Sequence, residues 1–169
     1  TTALQGLYVA YFNRPADVSG LASWETALAS GGATLANVSA AFAASAEYKA
    51  AYAGMNNDQI VNTIYQNLFG RDAEPAGLLF WSQALTARAV TIDTVVKEVA
   101  AGAQTTDKVA FNSKVAAAEV FTTALNTTAE ILAYSGDAAN AVAKAYIAGV
   151  TDAATLATAT ANVDATISA

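Results

Sequence analysis

A gapless internal repeat constrains the fold of this chain more than any other feature. Residues 8–28 align with residues 65–85 at an offset of 57 positions, and nine of the 21 aligned positions are identical. The identical pairs include both tryptophans of the chain, Trp24 and Trp81. A duplicated segment of this length predicts two copies of one supersecondary unit that bury a shared core.

Both copies have the pattern of three short helices. Apolar residues recur three and four positions apart, and Pro, Gly or Asp interrupts the pattern between helices. The 44 alanines among 169 residues favour helix throughout, because alanine loses almost no side-chain entropy in a helix. We expect repeat one at about 4–47 and repeat two at about 57–104. In repeat two, Thr91 is expected to open the third helix.

The C-terminal part of the chain lacks the repeat but keeps helical spacing. Asp107 is expected to cap a long helix, whose apolar residues recur every seven positions up to Leu132. Further helices are expected after Ser135 and from Asp152 onward. The expected fold is therefore all-α, with two tandem three-helix repeats packed with C-terminal helices, about 106–169, in one domain of residues 1–169.

The composition excludes several classes of function. The chain has no His and no Cys, which excludes disulfides, Cys/His zinc sites and His-dependent triads. Eight scattered Lys and Arg residues against 14 acids give a net charge of −6, so no nucleic-acid partner is expected. No apolar run approaches the roughly 20 residues of a transmembrane segment. A glycosidase needs two carboxylates, but Glu25 is matched by Ser82 in the second copy, so we expect no enzyme.

Six repeated aromatic residues are candidates for the core of the repeats. They are Tyr8, Phe12 and Trp24 in the first copy and Tyr65, Phe69 and Trp81 in the second. Each lies on the apolar face of an expected helix, where a large ring anchors packing. For the two tryptophans, stacking against a sugar is the alternative interpretation.

The repeats also place charged residues in two equivalent loops. Arg14 and Arg71 each lie three residues before an acid, Asp17 or Glu74. Each arginine either holds its own loop through carbonyl and carboxylate contacts or contacts a ligand. The candidate ligand-binding residues are Arg14, Asp17, Arg71, Asp72 and Glu74. No EF-hand pattern is present, so whether the loop acids bind calcium stays open.

The repeated block Tyr…Phe-x-Arg…Gly-Leu-x-x-Trp resembles the domain-of-unknown-function family 4214. Repeats of that family read roughly Tyr-x-x-Leu-Phe-Gly-Arg-x-Pro-Asp-x-x-Gly-Leu-x-x-Trp. The second copy keeps residues 68–71 as Leu-Phe-Gly-Arg, followed by Gly77, Leu78 and Trp81. The first copy has Asn13 where the family usually has Gly. The resemblance covers about residues 4–104.

This resemblance implies a secreted, non-enzymatic module at a bacterial cell surface. Members of the family occur in surface-layer proteins, type I secreted calcium-repeat proteins and adhesin-like chains. The expected partners are envelope polysaccharide such as lipopolysaccharide, and other copies or domains of the same surface protein. No cofactor is expected apart from calcium at the ligand or assembly interface. The alternative is a structural self-association or spacer module without a carbohydrate ligand.

Overall fold

The computed structural model describes residues 1–169, and all of its regular secondary structure is helical. This confirms the all-α fold class. The twelve helices are α1 Thr2–Phe12, α2 Val18–Ala29, α3 Leu35–Ala44, α4 Ala46–Tyr52, α5 Asn57–Phe69, α6 Pro75–Thr86, α7 Val95–Ala101, α8 Thr105–Ala124, α9 Thr128–Ala133, α10 Gly136–Ala148, α11 Ala153–Ala161 and α12 Val163–Ile167.

Capping residues and a proline at the helix ends explain several of these boundaries. Asp17 caps α2 by accepting the N–H of Gly20, and Thr34 and Asn56 form capping boxes at α3 and α5. Pro75 occupies the first turn of α6, where its missing N–H leaves no donor unpaired. The short helix α4 is an addition to the three helices expected for repeat one.

The third helix of repeat two begins later than expected. A turn occupies residues 92–94, and α7 starts at Val95 instead of Thr91. Tyr11 and Tyr48 donate their hydroxyls to the carbonyls of Asp93 and Ile92. Because these carbonyls accept bonds from outside the segment, the turn is held apart from the helix that follows it.

The main core joins the two repeats. Tyr8, Phe12, Tyr65 and Phe69 are buried in it, together with residues of α3, α4 and α7. The two tryptophans lie at equivalent positions and pack against this core, but both are half-buried. The tryptophans are half-buried because α2 and α6 cover the core from outside, and neither helix buries a large side chain completely.

The long helix that was expected from Asp107 to Leu132 is divided into α8 and α9. Gln104 is the N-cap of α8, and the Asp107 carboxylate pairs with Arg71 instead of capping the helix. Helix α8 ends at Ala124, because Thr127 and Glu130 form a capping box that starts α9. Leu132 is therefore on the surface, with 71% of its area exposed.

Helix α8 is the scaffold that positions the repeats against the C-terminal segment. It packs against α1 and α5 on one side and against α10, α11 and α12 elsewhere. Two smaller apolar clusters, centred on Ile147 and on Phe121, fill the space between these helices. None of the twelve helices combines the length and hydropathy that crossing a bilayer requires.

Candidate functional site

Two equivalent loops connect the first and second helices of the repeats. Loop one comprises residues 13–17 and loop two residues 70–74. Each begins with a residue in the left-handed region that ends the preceding helix, Asn13 with φ 51° and Gly70 with φ 73°. Asparagine tolerates this conformation better than other residues with a side chain. The replacement of the usual Gly by Asn13 therefore leaves the loop geometry unchanged.

An arginine closes each loop in the same way. Arg14 donates from Nε and Nη2 to the Glu47 carboxylate at 2.8 and 2.9 Å, and from Nη1 to the carbonyl of Pro15 at 3.2 Å. Arg71 donates from Nε and Nη2 to Asp107 at 2.8 and 2.6 Å, and from Nη1 to the carbonyl of Asp72 at 2.9 Å. Both acids lie in the first turn of a helix, Glu47 in α4 and Asp107 in α8.

These pairings fix the charge states of the loops. Burial alone would lower the pKa of Arg14, but Glu47 and Tyr134 together outweigh this effect through hydrogen bonds and charge, and the pKa lies above its usual range. The hydrogen bonds to Asp107 raise the pKa of Arg71. The bond that Glu74 accepts from Arg71 at 2.7 Å lowers the pKa of the Glu74 carboxyl. Both arginines thus hold their own loops through internal contacts. Arg71 in addition bonds to the neighbouring carboxylate of Glu74.

A side-chain amide holds the centre of each loop. Gln5 Oε1 accepts the backbone N–H of Ala16 at 3.1 Å, and Asn62 Oδ1 accepts that of Ala73 at 3.0 Å. Gln5 and Asn62 are themselves related by the offset of 57, as are the two alanines. Sequence reasoning missed this pair because the two amides are not identical. Extending the alignment upstream of Tyr8 and comparing residue classes would have found it.

A glycine in the first turn of the following helix completes each unit. A Cβ on Gly20 would lie 2.6 Å from the Tyr8 hydroxyl, and one on Gly77 would lie 2.8 Å from the Tyr65 hydroxyl. The same built atoms would also meet the carboxylates of Asp17 and Glu74. The glycine therefore makes room for a tyrosine hydroxyl and an acid at the start of the helix.

The two loops differ in what covers them. Over loop one, Tyr134 donates its hydroxyl to the Pro15 carbonyl at 2.6 Å, and Thr122 donates to the Ala16 carbonyl at 2.7 Å. No hydrogen bond reaches loop two from residues 108–169. Arg14 accordingly keeps 10% of its side chain exposed, whereas Arg71 keeps 40%. Loop one is part of the interior, and loop two faces solvent.

A polar cleft lies along the N-terminal half of α5, the helix that precedes loop two. It has a volume of about 440 Å³ and is lined by Met55, Asn56, Asp58, Gln59, Asn62 and Thr63. Asn62 links the cleft to the loop, since its amide oxygen accepts the N–H of Ala73. Amides, a hydroxyl and a carboxylate on one surface suit a ligand with many hydroxyl groups.

The structure places the five candidate ligand-binding residues in two different settings. Arg71, Asp72 and Glu74 lie together on open loop two, with Asp72 accepting a bond from Gln66 at 2.8 Å. Arg14 is buried in loop one, and Asp17 serves as the cap of α2. No three acidic side chains lie close enough together to hold a metal ion. The candidate functional surface is therefore loop two with its cleft.

Comparison with known proteins identifies a family. The family model described as a domain of unknown function (DUF4214) matches residues 4–52 and 39–103. These matches cover both repeats, including both loops and both arginines. No curated protein and no solved structure matches the chain. The chain belongs to the DUF4214 family.

Proposed function

We propose that this domain anchors a secreted bacterial protein to the cell surface by binding envelope polysaccharide, such as lipopolysaccharide, through loop two and its cleft. One observation carries the proposal. The two loops are built by the same set of contacts, yet only in loop one do side chains of the C-terminal segment, Tyr134 and Thr122, bond to the loop carbonyls. Loop two retains the same geometry with a polar surface open to solvent.

The chemistry of loop two fits a polyhydroxylated ligand. In loop one, the covering group is Tyr134, a ring that donates a hydroxyl to the loop carbonyl of Pro15. The equivalent carbonyl in loop two belongs to Asp72, which accepts only from Arg71 within the chain. A sugar is likewise a ring that carries hydroxyl donors. Sugar hydroxyls can reach the Asp72 carbonyl, the Glu74 carboxylate and the amides of the cleft.

Charge limits which polysaccharide binds unaided. The chain carries −6, and the Arg71 guanidinium is already paired with two carboxylates. An anionic glycolipid core is therefore repelled at short range, and screening over about 8–10 Å weakens this repulsion without reversing it. A divalent cation that bridges the exposed Asp72 carboxylate and the glycolipid would reverse it locally. We therefore include calcium dependence in the proposal.

A retention assay on isolated envelope polysaccharide tests the proposal. Wild-type domain is compared with the double variant Asp72→Asn and Glu74→Gln, with calcium and with chelator. The matched control is Asp137→Asn with Asp164→Asn, which removes two exposed acids far from the loop in sequence. We expect retention of wild type and control in calcium, and loss of retention in the loop-two variant and in chelator.

The possible failures separate the parts of the proposal. Equal retention of the loop-two variant and the control would remove loop two as the contact. Retention that is indifferent to chelator would keep the polysaccharide and discard the bridging cation. Absence of retention in every condition would overturn the anchoring function.

A second candidate function is self-association within a surface lattice. Leu79 and Phe80 on α6 are 59% and 62% exposed, whereas the equivalent residues of α2 are the small Ala22 and Ser23. An exposed apolar pair that only one repeat carries suits a protein contact. Sedimentation velocity of wild type and of Leu79→Ser with Phe80→Ser tests it: concentration-dependent association that the variant abolishes would favour this function.

A further inference from the structure

A second cleft lies between the two repeats, away from the residues of loop two. It has a volume of about 310 Å³ and lies between α3, α4 and the turn that leads into α7. Its walls come from both repeats: Lys49 and Ser39 from the first, Asp93, Thr94 and Lys97 from the second. The volume is at the lower end of ligand-sized pockets, which suits a ligand with a single ring.

Two of the few cations of the chain line this cleft. Lys49 has no carboxylate within ion-pair distance, and Lys97 has only an exposed contact of 3.7 Å with Glu98. Asp93 is the single acid of the lining. The lining therefore has more cationic than acidic side chains, on a domain of net charge −6. An anion that approaches this cleft finds the unpaired ammonium of Lys49 and that of Lys97, whose contact with Glu98 is long and exposed.

The floor of the cleft is apolar. Four alanines of α3 and its end line it: Ala36, Ala40, Ala43 and Ala44. Side chains this short let a ring lie directly on the helix surface. The opposite wall is fixed by Tyr11, whose hydroxyl donates to the carbonyl of Asp93 at 2.8 Å. This bond ties the turn that carries Asp93 and Thr94 to α1.

We propose that this cleft binds a sugar acid, a hexuronate unit of a polysaccharide. Its carboxylate pairs with Lys49 and Lys97, its C–H face packs on the alanines, and its hydroxyls bond to the side chains of Asp93 and Thr94. The combination of two cations, an apolar floor and neutral or acidic hydrogen-bonding groups distinguishes a sugar acid from both a neutral sugar and a bare anion. The site shares no residue with loop two.

Titration of the domain with three small probes tests this inference. Glucuronate carries both the ring and the carboxylate, glucose the ring alone, and acetate the carboxylate alone. Binding is followed by chemical-shift changes at low ionic strength, where exposed charges are least screened. We expect saturable binding of glucuronate, centred on residues of α3, α4 and the turn at 92–94, and no saturation with glucose or acetate.

Three variants test whether glucuronate binds in this cleft: two remove charge inside or outside it, and one fills it. Lys49→Gln with Lys97→Gln should weaken glucuronate binding at least about tenfold, since two charge-assisted contacts are lost. Lys108→Gln with Lys144→Gln removes the same charge outside the cleft and should leave binding unchanged. Ala40→Trp fills the exposed floor without changing charge and should abolish binding.

The inference would be overturned by the absence of saturable glucuronate binding, by equal weakening in the two double lysine variants, or by unchanged binding in Ala40→Trp. None of them bears on loop two, because the retention assay uses different variants. Acetate binding equal to that of glucuronate would reduce the cleft to a general anion contact and would likewise reject a sugar-acid site.

Discussion

Arg14 and Glu47 form a bidentate ion pair inside the first repeat, with Nε 2.8 Å from Oε1 and Nη2 2.9 Å from Oε2. The guanidinium also lies over the rings of Tyr8 and Phe12, with its carbon 5.7 and 5.3 Å from their centroids. The second repeat forms the corresponding pair from Arg71 and Asp107, but in a more exposed position. The chain thus contains the same bidentate ion pair twice, once buried and once partly exposed.

The difference in burial predicts unequal effects of Arg→Lys substitution. Lysine keeps the charge but loses the planar pair of donors. Arg14→Lys should lower the free energy of unfolding by about 2–4 kcal/mol, because it leaves Glu47 and a loop carbonyl poorly paired in the interior. Arg71→Lys should cost about 1 kcal/mol or less, since water replaces the lost contacts. Chemical denaturation of both variants measures this, and equal losses would contradict the internal role of loop one.

The two repeat glycines provide a second prediction. In Gly20→Ala, the new methyl would meet the buried Tyr8 hydroxyl and the Asp17 carboxylate that caps α2. We expect a loss of about 1–3 kcal/mol, despite the better helix propensity of alanine. Gly77→Ala should cost less, because the Glu74 carboxylate in its way is exposed and can move. Gly149→Ala is the control: nothing lies near its Cβ, and it should stabilise by up to about 1 kcal/mol.

The offset of 57 made much of this architecture predictable from sequence. It placed Arg14 opposite Arg71 and Tyr8 opposite Tyr65, and it indicated equivalent loops between equivalent helices. The acids that pair with the two arginines could not be predicted from this offset. Glu47 and Asp107 are 60 positions apart, so they differ from the repeat register by about one helical turn.

The contacts that bury loop one could not be predicted from the sequence either. Tyr134 lies 119 residues from the carbonyl that it contacts, in a segment without the repeat. No local periodicity encodes such a contact, because it depends on how α8 places α9 against α1. The difference between a buried loop one and an open loop two is a tertiary property. It therefore emerged only from the structure.

Removal of the Tyr134 hydroxyl should measure the cover of loop one directly. In Tyr134→Phe the Pro15 carbonyl keeps only the longer bond of 3.2 Å from Arg14. We expect a loss of about 1–2 kcal/mol in the free energy of unfolding, because a buried carbonyl loses one of its two hydrogen-bond donors. Tyr146→Phe removes a less buried bond to the carbonyl of Ala159 and should cost less. A neutral Tyr134→Phe variant would show that packing alone covers the loop.

The burial of the Lys114 ammonium leads us to expect an unusual pH dependence of stability. Its ammonium is buried, with 1% of the residue exposed, and donates to the carbonyls of Ile147 and Ala148 at 2.7 and 2.8 Å. No carboxylate pairs with it, so burial lowers its pKa to about 8 from an ordinary value of 10.5. Between these two values the unfolded chain binds more protons than the folded chain. The contribution of Lys114 to stability therefore rises with pH from about 8 to 10.5 and is least favourable below about pH 8.

The comparison with Lys114→Met isolates this contribution from that of the tyrosines. Burial raises the pKa of Tyr52 and of Tyr134 to about 12, which lowers stability at alkaline pH in wild type and variant alike. The difference in unfolding free energy between the two proteins cancels that effect. It should be constant below pH 8 and grow in favour of wild type by about 2 kcal/mol by about pH 9.5. Both carbonyl contacts survive deprotonation, because a neutral amine still has two hydrogens to donate. A difference that stays flat from pH 7 to 9.5 in urea titrations would show that the Lys114 ammonium is not destabilised by its burial.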